Sequence, residues 1–357
     1  MPDYLGRRSS GLYQRLTHSA RAGLFPGNYL FGRFHMIRRS LLAAVALTAA
    51  IAPASAQTFP TRPISMVVPF AAGGPTDAVA RLISEAMSRD LGQTVLVENV
   101  GGAGGTLGAA RVASARPDGH TLLLHHIGMA TAPILYRRLP YDAMGFETIG
   151  LVTPVPMTIV VPKDHPAQNF QQLVAWIKEK KEDVNLGNAG LGAASQLCGT
   201  LLQHLLQTPM TTIPFRGTGP AMTELLAGRL HVMCDQTTNT VEQIKGGGIR
   251  ALAVTTPARL DVLPDVPTTT EAGMPDLQVA IWHGLYAPKG TPPAIIARIN
   301  QALLVALKDE KVVGRFAQLG TVPEPAERAN PAAHRAFWTA ELAKWRPVLQ
   351  AAGQYAD

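Results

Sequence analysis

Four Gly-rich turns constrain this chain more than any other feature, each set between a strand-length apolar run and an amphipathic run of helical period. Val67-Val68-Pro69-Phe70 leads into Ala71-Ala72-Gly73-Gly74-Pro75-Thr76-Asp77, and Val95-Leu96-Val97-Glu98-Asn99 into Gly101-Gly102-Ala103-Gly104-Gly105-Thr106. Val184-Asn185-Leu186-Gly187 leads into Asn188-Ala189-Gly190-Leu191-Gly192-Ala193-Ala194-Ser195, and Thr212-Ile213-Pro214-Phe215 into Arg216-Gly217-Thr218-Gly219-Pro220. Glycine lets a backbone approach a bound group closely, and the first turn of a helix offers unpaired N–H donors at its positive end. Such mouths together make a cage for an anion, most simply a carboxylate. The pattern points to a binding protein before it points to an enzyme.

The N-terminal segment sets the expected compartment. Met36-Ile37-Arg38-Arg39 supplies a basic start, residues 41–51 an apolar core and Ala54-Ser55-Ala56 a small-residue cleavage site. This is the layout of a secretory signal peptide, so residues 1–56 are expected to be a cleaved extension and leader, with Gln57 the first mature residue. The apolar run falls short of the about 20 residues a membrane span needs. The mature protein is expected to be soluble in the periplasm. The chain has 32 basic and 25 acidic side chains, but residues 1–56 hold seven Arg and one Asp, leaving 25 basic against 24 acidic. A nearly neutral mature chain with no basic stripe gives no sign of a nucleic-acid partner. Cys198 and Cys234 are the two cysteines. Export permits a disulfide, contributing about 3–4 kcal/mol under the chain-entropy model, and two buried thiols stand equally open.

Strand and helix patterns alternate almost throughout the remaining 300 or so residues, which argues an α/β fold with largely parallel sheets and two domains. Val79, Leu82, Ile83, Ala86 and Met87 share one face of a first helix. Residues 133–141, with two prolines, read as irregular. Residues 230–235 read as a buried strand ending at Asp235, and residues 331–352 as a long terminal helix carrying Trp338 and Trp345.

No catalytic set emerges. Ser195 lies in Gly-rich sequence but lacks the Gly-x-Ser-x-Gly elbow. His125-His126 ends a strand with no acidic residue completing a metal set, so a hydrogen-bonding or solvated pair is expected, and no metal. The Gly101–Gly105 run has no Gly-Lys-Ser/Thr after it, and no cofactor is expected. Asp235 is placed either to accept from a ligand amine or hydroxyl or to cap the next helix. Arg216 is the one strong cation in these loops, placed either to pair with a carboxylate or to face solvent. Trp282-His283 reads as core.

Together these segments resemble the exported solute-binding receptors of tripartite tricarboxylate transporters, the Bug-type family, over nearly all of residues 58–357. The likeness is carried by Pro69-Phe70-Ala71-Ala72-Gly73-Gly74-Pro75-Thr76-Asp77 with Ala80-Arg81, by residues 101–108, and by Asp118-Gly119-His120-Thr121-Leu122-Leu123. It continues in Leu135-Tyr136, Leu139-Pro140-Tyr141-Asp142, Gly217-Thr218-Gly219-Pro220-Ala221 and Leu263-Pro264-Asp265-Val266-Pro267-Thr268. It ends with Glu271-Ala272-Gly273, Ala287-Pro288-Lys289-Gly290-Thr291-Pro292 and Glu341-Leu342-Ala343-Lys344-Trp345. The resemblance implies a two-lobed type II periplasmic binding protein fold, each lobe a mostly parallel sheet flanked by helices, joined by two crossing hinge strands. Lobe 1 would comprise residues 57–160 plus 280–357, and lobe 2 residues 161–279.

The same resemblance implies a small organic carboxylate as ligand and membrane permease subunits as partners, with the receptor itself a monomer. Ligand contacts carried onto this chain are Ala72, Gly73, Thr76 and Asp77, then His126, Gly128 and Met129 in the first lobe. In the second they are Ala189, Gly190, Gly192, Ala193 and Ser195, then Arg216, Gly217 and Thr218, and Asp235. Bulk at Gly73 is expected to block the acid. The chain departs from many relatives at His125-His126-Ile127-Gly128, where theirs is a Ser- or Thr-rich turn, and at Gln196, where they have His. The alternatives are a binding protein signalling to a membrane sensor kinase, an exported α/β enzyme, or the effector domain of a transcription regulator. The missing nucleophile–base pair disfavours the enzyme, and the leader disfavours the regulator.

Overall fold

The run Ile64–Val68 is apolar except at Ser65, as expected for a strand covered on both faces, and it forms β1 in the interior of a sheet. The structure, a computed structural model, describes residues 59–352 and 355–356. The expected leader and Gln57 lie outside the described residues. Parallel to β1 run β2 (Val95–Asn99) and β3 (Thr121–His126). β4 (Phe146–Val155) and β10 (Ile281–Pro288) complete the sheet in the order β2-β1-β3-β10-β4.

A second sheet repeats the plan with β5 (Met157–Pro162), β6 (Asn185–Asn188), β7 (Thr211–Pro214), β8 (Val232–Gln236) and β9 (Ile249–Val254), ordered β7-β6-β8-β5-β9. In each sheet four strands share a direction and one is reversed: β10 against β3 and β4, β5 against β8 and β9. The reversed strand is the one the chain enters on passing between sheets, through Pro156 into β5 and through residues 255–280 into β10.

Parallel neighbours require crossover connections, so strand ends on one side of each sheet open into helix N-termini. These helices are α1 (Pro75–Leu91), α2 (Thr106–Ala113) and α3 (Gly128–Leu135) at the first sheet, and α5 (Ala194–Leu206), α6 (Thr218–Leu226) and α7 (Thr237–Lys245) at the second. Between the two sets, α4 (Phe170–Lys180) follows the reversed β5 and starts at the opposite side. Then come α8 (Pro293–Lys308), α9 (Glu310–Gln318) and α10 (Pro331–Ala352). In α1, Pro75 occupies the start, where its missing N–H is harmless, and Val79, Ile83, Ala86 and Met87 are buried. None of the described helices is long and apolar enough to cross a membrane.

Two sequence expectations meet the structure directly. The stretch from Pro133 is not wholly irregular, because α3 runs through that proline. A proline inside a helix leaves the carbonyl four residues earlier without its donor. Here that carbonyl belongs to Met129, and the indole N–H of Trp338 on α10 donates to it at 3.0 Å. The cysteines are bridged: Cys198 on α5 and Cys234 on β8 form a disulfide with Cα atoms 6.0 Å apart.

Candidate ligand-binding site

Strand ends from both sheets converge on one enclosed cavity. Pro75 and Thr76 begin α1, Ala194 and Ser195 begin α5, Thr218 begins α6, and Gln236 immediately precedes α7; all six line it. Phe70, His126, Ala189 and Asp235 complete the wall. Four helix N-termini thus bring partial positive charge and first-turn N–H groups to one place. The wall contains no Lys or Arg. The cavity measures about 10 Å³, room for roughly one water. A four-carbon acid is larger, so its entry requires the sheets to part.

The polar wall is incompletely bonded. Ser195 Oγ accepts from the Ala189 N–H at 2.9 Å, leaving its own O–H to donate. Thr76 Oγ1 pairs with His283 Nε2 at 3.1 Å. Asp235 Oδ2 accepts from Asn239 Nδ2 at 2.5 Å. Asp235 Oδ1, Gln236 Oε1 and Thr218 Oγ1 are buried with no hydrogen-bond partner. Burial raises the Asp235 carboxyl to about 6, against the lowering effect of Asn239 and the Gln236 N–H. The Thr218 hydroxyl, which shares the cavity wall with it, lowers it further. His126 is held down to about 3 by burial and stacks on Phe70 with ring centroids 4.7 Å apart. The imidazoles of His125 and His283 are also buried and neutral. His125 and His126 are therefore not a solvated pair: His125 Nδ1 accepts from the His126 N–H at 2.8 Å.

Loops from the two sheets touch across the mouth. The Ala71 N–H donates to the Arg216 carbonyl at 2.9 Å, Thr131 Oγ1 to the Gly192 carbonyl at 2.8 Å, and Tyr136 Oη to the Leu191 carbonyl at 3.1 Å. This approach needs glycine at several positions, Gly101 and Gly104 most tightly. A Cβ on Gly101 would sit 2.6 Å from the Arg216 carbonyl oxygen, and one on Gly104, whose φ is +62°, would collide with the Leu191 carbonyl oxygen.

Of the residues expected at the site, Thr76, His126, Ala189, Ser195, Thr218 and Asp235 line the cavity. The others flank it. Ala72 and Gly73 are exposed, and a Cβ on Gly73 would meet nothing within 4 Å, so bulk there strains a φ of +79° without entering the cavity. Asp77 pins this turn, accepting from the Gly73 N–H at 3.0 Å, Arg81 Nε at 2.9 Å and Asn99 Nδ2 at 3.0 Å. Burial pushes its carboxyl up, but these partners outweigh it and hold the group below the usual range.

The Gly128 N–H is taken by His126 Nδ1 at 3.1 Å and the Met129 carbonyl by Trp338. The N–H groups of Gly190, Gly192 and Ala193 are taken by Asn188, Gln196 and the Gly190 carbonyl. Gly217 caps α6, and the Arg216 side chain is exposed at the rim. Phe70, Pro75, Ala194 and Gln236 also line the cavity and were not singled out from sequence. Their signal is adjacency, since each directly neighbours an expected residue or a Gly turn.

A larger cavity of about 560 Å³ lies beside the two chain passages, against Pro154, Pro156, Arg259, Val262 and Thr321. Arg259 in its wall is paired with Glu271 and Thr321 with Thr153, and none of the unpartnered buried atoms belongs to its wall. The small cavity at the strand ends is the stronger candidate on chemistry, despite its size.

A family model described as the tripartite tricarboxylate transporter family receptor matches residues 79–354. The chain is 52% identical over 319 residues to a protein from the TAR-I ttuE-ttuC' intergenic region of Agrobacterium vitis, an alignment covering 88% of this chain and 92% of that one. The structure of periplasmic binding protein BugD matches with a TM-score of 0.82 at 47% identity, covering 84% of this chain and 100% of that one. MatC from Rhodopseudomonas palustris with bound malate matches with a TM-score of 0.79 at 40% identity, covering 81% and 99%. The chain belongs to the tripartite tricarboxylate transporter receptor family.

Proposed function

We propose that this chain is a periplasmic receptor that closes on a small organic carboxylate between its two sheets and delivers it to the membrane permease of a tripartite transporter. The observation that carries this reading is the meeting of four helix N-termini and the hydroxyls of Thr76, Ser195 and Thr218 on one enclosed cavity. Helix ends and hydroxyls hold an anion without the desolvation that a buried Lys or Arg demands. Malate in MatC supports a carboxylate as the ligand class. The expected boundary at residue 160 would cut β5, which belongs wholly to the second sheet, so one lobe comprises residues 57–156 with 280–357 and the other residues 157–279, hinged at the two chain passages. An acid favours closure only through contacts that the closed form makes better.

The receptor acts as a monomer and performs no chemistry on its ligand. Among the described residues no imidazole accepts the Ser195 O–H, whose oxygen is itself bonded by the Ala189 N–H, so it lacks an activating base. Residues 1–56 are an export leader, and the intact mass of exported protein should begin near Gln57. A thermal-shift screen of organic acids on residues 57–357 tests the binding claim. An acid at 100 times its dissociation constant should add about 2.7 kcal/mol of stability. Ser195→Ala should weaken that acid by about 0.5–1.5 kcal/mol, the worth of one neutral hydrogen bond. A screen in which no organic acid raises the melting temperature overturns the reading.

A further inference from the structure

The cavity wall is unbalanced in its hydrogen bonding. At the junction of β8 and α7, Asp235 and Gln236 both line the cavity, and Asp235 Oδ1 and Gln236 Oε1 are buried without a hydrogen-bond partner among the described residues. Both residues are more than nine-tenths buried, at 1% and 2% exposure. Buried acceptors in native proteins are nearly always satisfied, and leaving one unmade costs more than a surface bond gains. The other oxygen of Asp235 is already committed to Asn239, so Oδ1 is the one left for a ligand in a residue that lines the cavity.

A ligand carboxylate cannot satisfy this oxygen, because an ionised carboxylate only accepts. Placed beside Asp235 it would add like-charge repulsion in a dry site. A ligand N–H or O–H would complete the wall and compensate the buried charge.

We propose that Asp235 and Gln236 form an acceptor pair that selects acids carrying a hydrogen-bond donor, an ammonium or a hydroxyl, beside the carboxylate. This inference rests on the carboxylate-receptor reading above and narrows it to amino acids and hydroxy acids. The carboxylate lies toward the helix ends and the hydroxyls of Thr76 and Ser195, and the donor points at β8. Burial holds the Asp235 carboxyl near 6, so it is mostly charged at neutral pH and awaits a partner. His126, the other titratable side chain on the wall, stays neutral there and does not supply that partner's charge.

The test is calorimetric titration of residues 57–357 with matched acids that differ only at one carbon: propionate, lactate and alanine; succinate, malate and aspartate; glutarate, 2-hydroxyglutarate and glutamate. In the series of the right length, the hydroxy or amino acid should bind at least about tenfold more tightly than its unsubstituted parent. Asp235→Asn keeps one acceptor oxygen and removes the charge. It should take away most of an amino acid's advantage and little of a hydroxy acid's, which tells the two donors apart. Parent acids binding as tightly as their substituted partners overturn the inference while leaving the receptor reading intact. An amino-acid preference that Asp235→Asn leaves unchanged overturns the assignment to Asp235. If no organic acid binds in these series or in the wider screen, the receptor reading fails and takes this inference with it.

Discussion

Lowering the pH from 7.5 to 5 should remove several kcal/mol of unfolding free energy, a large share of what a protein this size has. The cause is a set of buried imidazoles. His283 and His334 are 0% exposed, and His125 and His126 are 2% exposed. Burial drives all four below their ordinary pKa, His126 and His334 to about 3, with neighbouring His126 adding to the shift in His125 and His283 and Arg335 to that in His334. In the unfolded chain each titrates near 6.5. Below that pH the unfolded chain takes up protons that the native chain refuses, so stability falls as pH falls, by up to about 1.4 kcal/mol per pH unit for each histidine. The loss begins at the unfolded value and continues toward the native one.

Asp235 acts in the opposite sense. Its native value of about 6 lies above the unfolded 3.8, so between those values the native form holds the extra proton and gains stability. One carboxyl offsets only part of four histidines. Urea unfolding at pH 7.5 and 5 checks the sum. His334→Gln should flatten the pH dependence by about one proton, since that side chain has no hydrogen-bond partner to lose at Nδ1 or Nε2. A denaturation midpoint that does not move between the two pH values would contradict the account.

Removing the disulfide should cost about 3–4 kcal/mol, from the loop entropy of a 36-residue separation in the unfolded chain. Both cysteines are fully buried, so Cys198→Ala with Cys234→Ala avoids stranding hydroxyls in the core. The bridge ties α5, which begins at the Ser195 turn, to β8, which carries Asp235. Its loss should therefore also loosen the second-sheet side of the cavity. Denaturation with and without reductant measures the effect, and equal stability in both would show that the bridge constrains nothing.

Much of this architecture is visible in residue order because local signals and tertiary packing agree. Pro331 opens the last helix where a proline is tolerated, and the face of α1 follows from Val79, Ile83, Ala86 and Met87. The fold departs from local signals where another part of the chain supplies what the sequence lacks. α3 passes through Pro133 because Trp338, some 200 residues away, replaces the missing donor. β4 holds Gly150 and Pro154 and carries little strand signal. It stands at the edge of its sheet, where a proline is tolerated.

The site shows the same division. Gly turns after strands marked the end of both sheets where the cavity lies, and Thr76, Ser195, Thr218 and Asp235 fall on its wall. Which atoms of a turn face inward depends on hydrogen bonds across it. Asp77 looks like a ligand contact until Gly73, Arg81 and Asn99 are seen to occupy it. Gln236 has no signal in the sequence beyond its adjacency to Asp235.

The central claim is that an organic acid is held by closing the two sheets upon one another. The most direct measurement compares two alanine substitutions at glycines with the same left-handed backbone. Gly104 has φ +62° and faces the Leu191 carbonyl across the mouth, whereas Gly92 has φ +67° and nothing within 4 Å of its added Cβ. Both carry similar backbone strain, and only one obstructs closure. Calorimetric titration with the acid that most stabilises the parent should show Gly104→Ala weakened by about tenfold or more, as overpacking of roughly 1–3 kcal/mol implies, with Gly92→Ala binding like the parent. If Gly104→Ala folds and binds that acid as tightly as the parent, the sheets do not close on the ligand and the account is wrong.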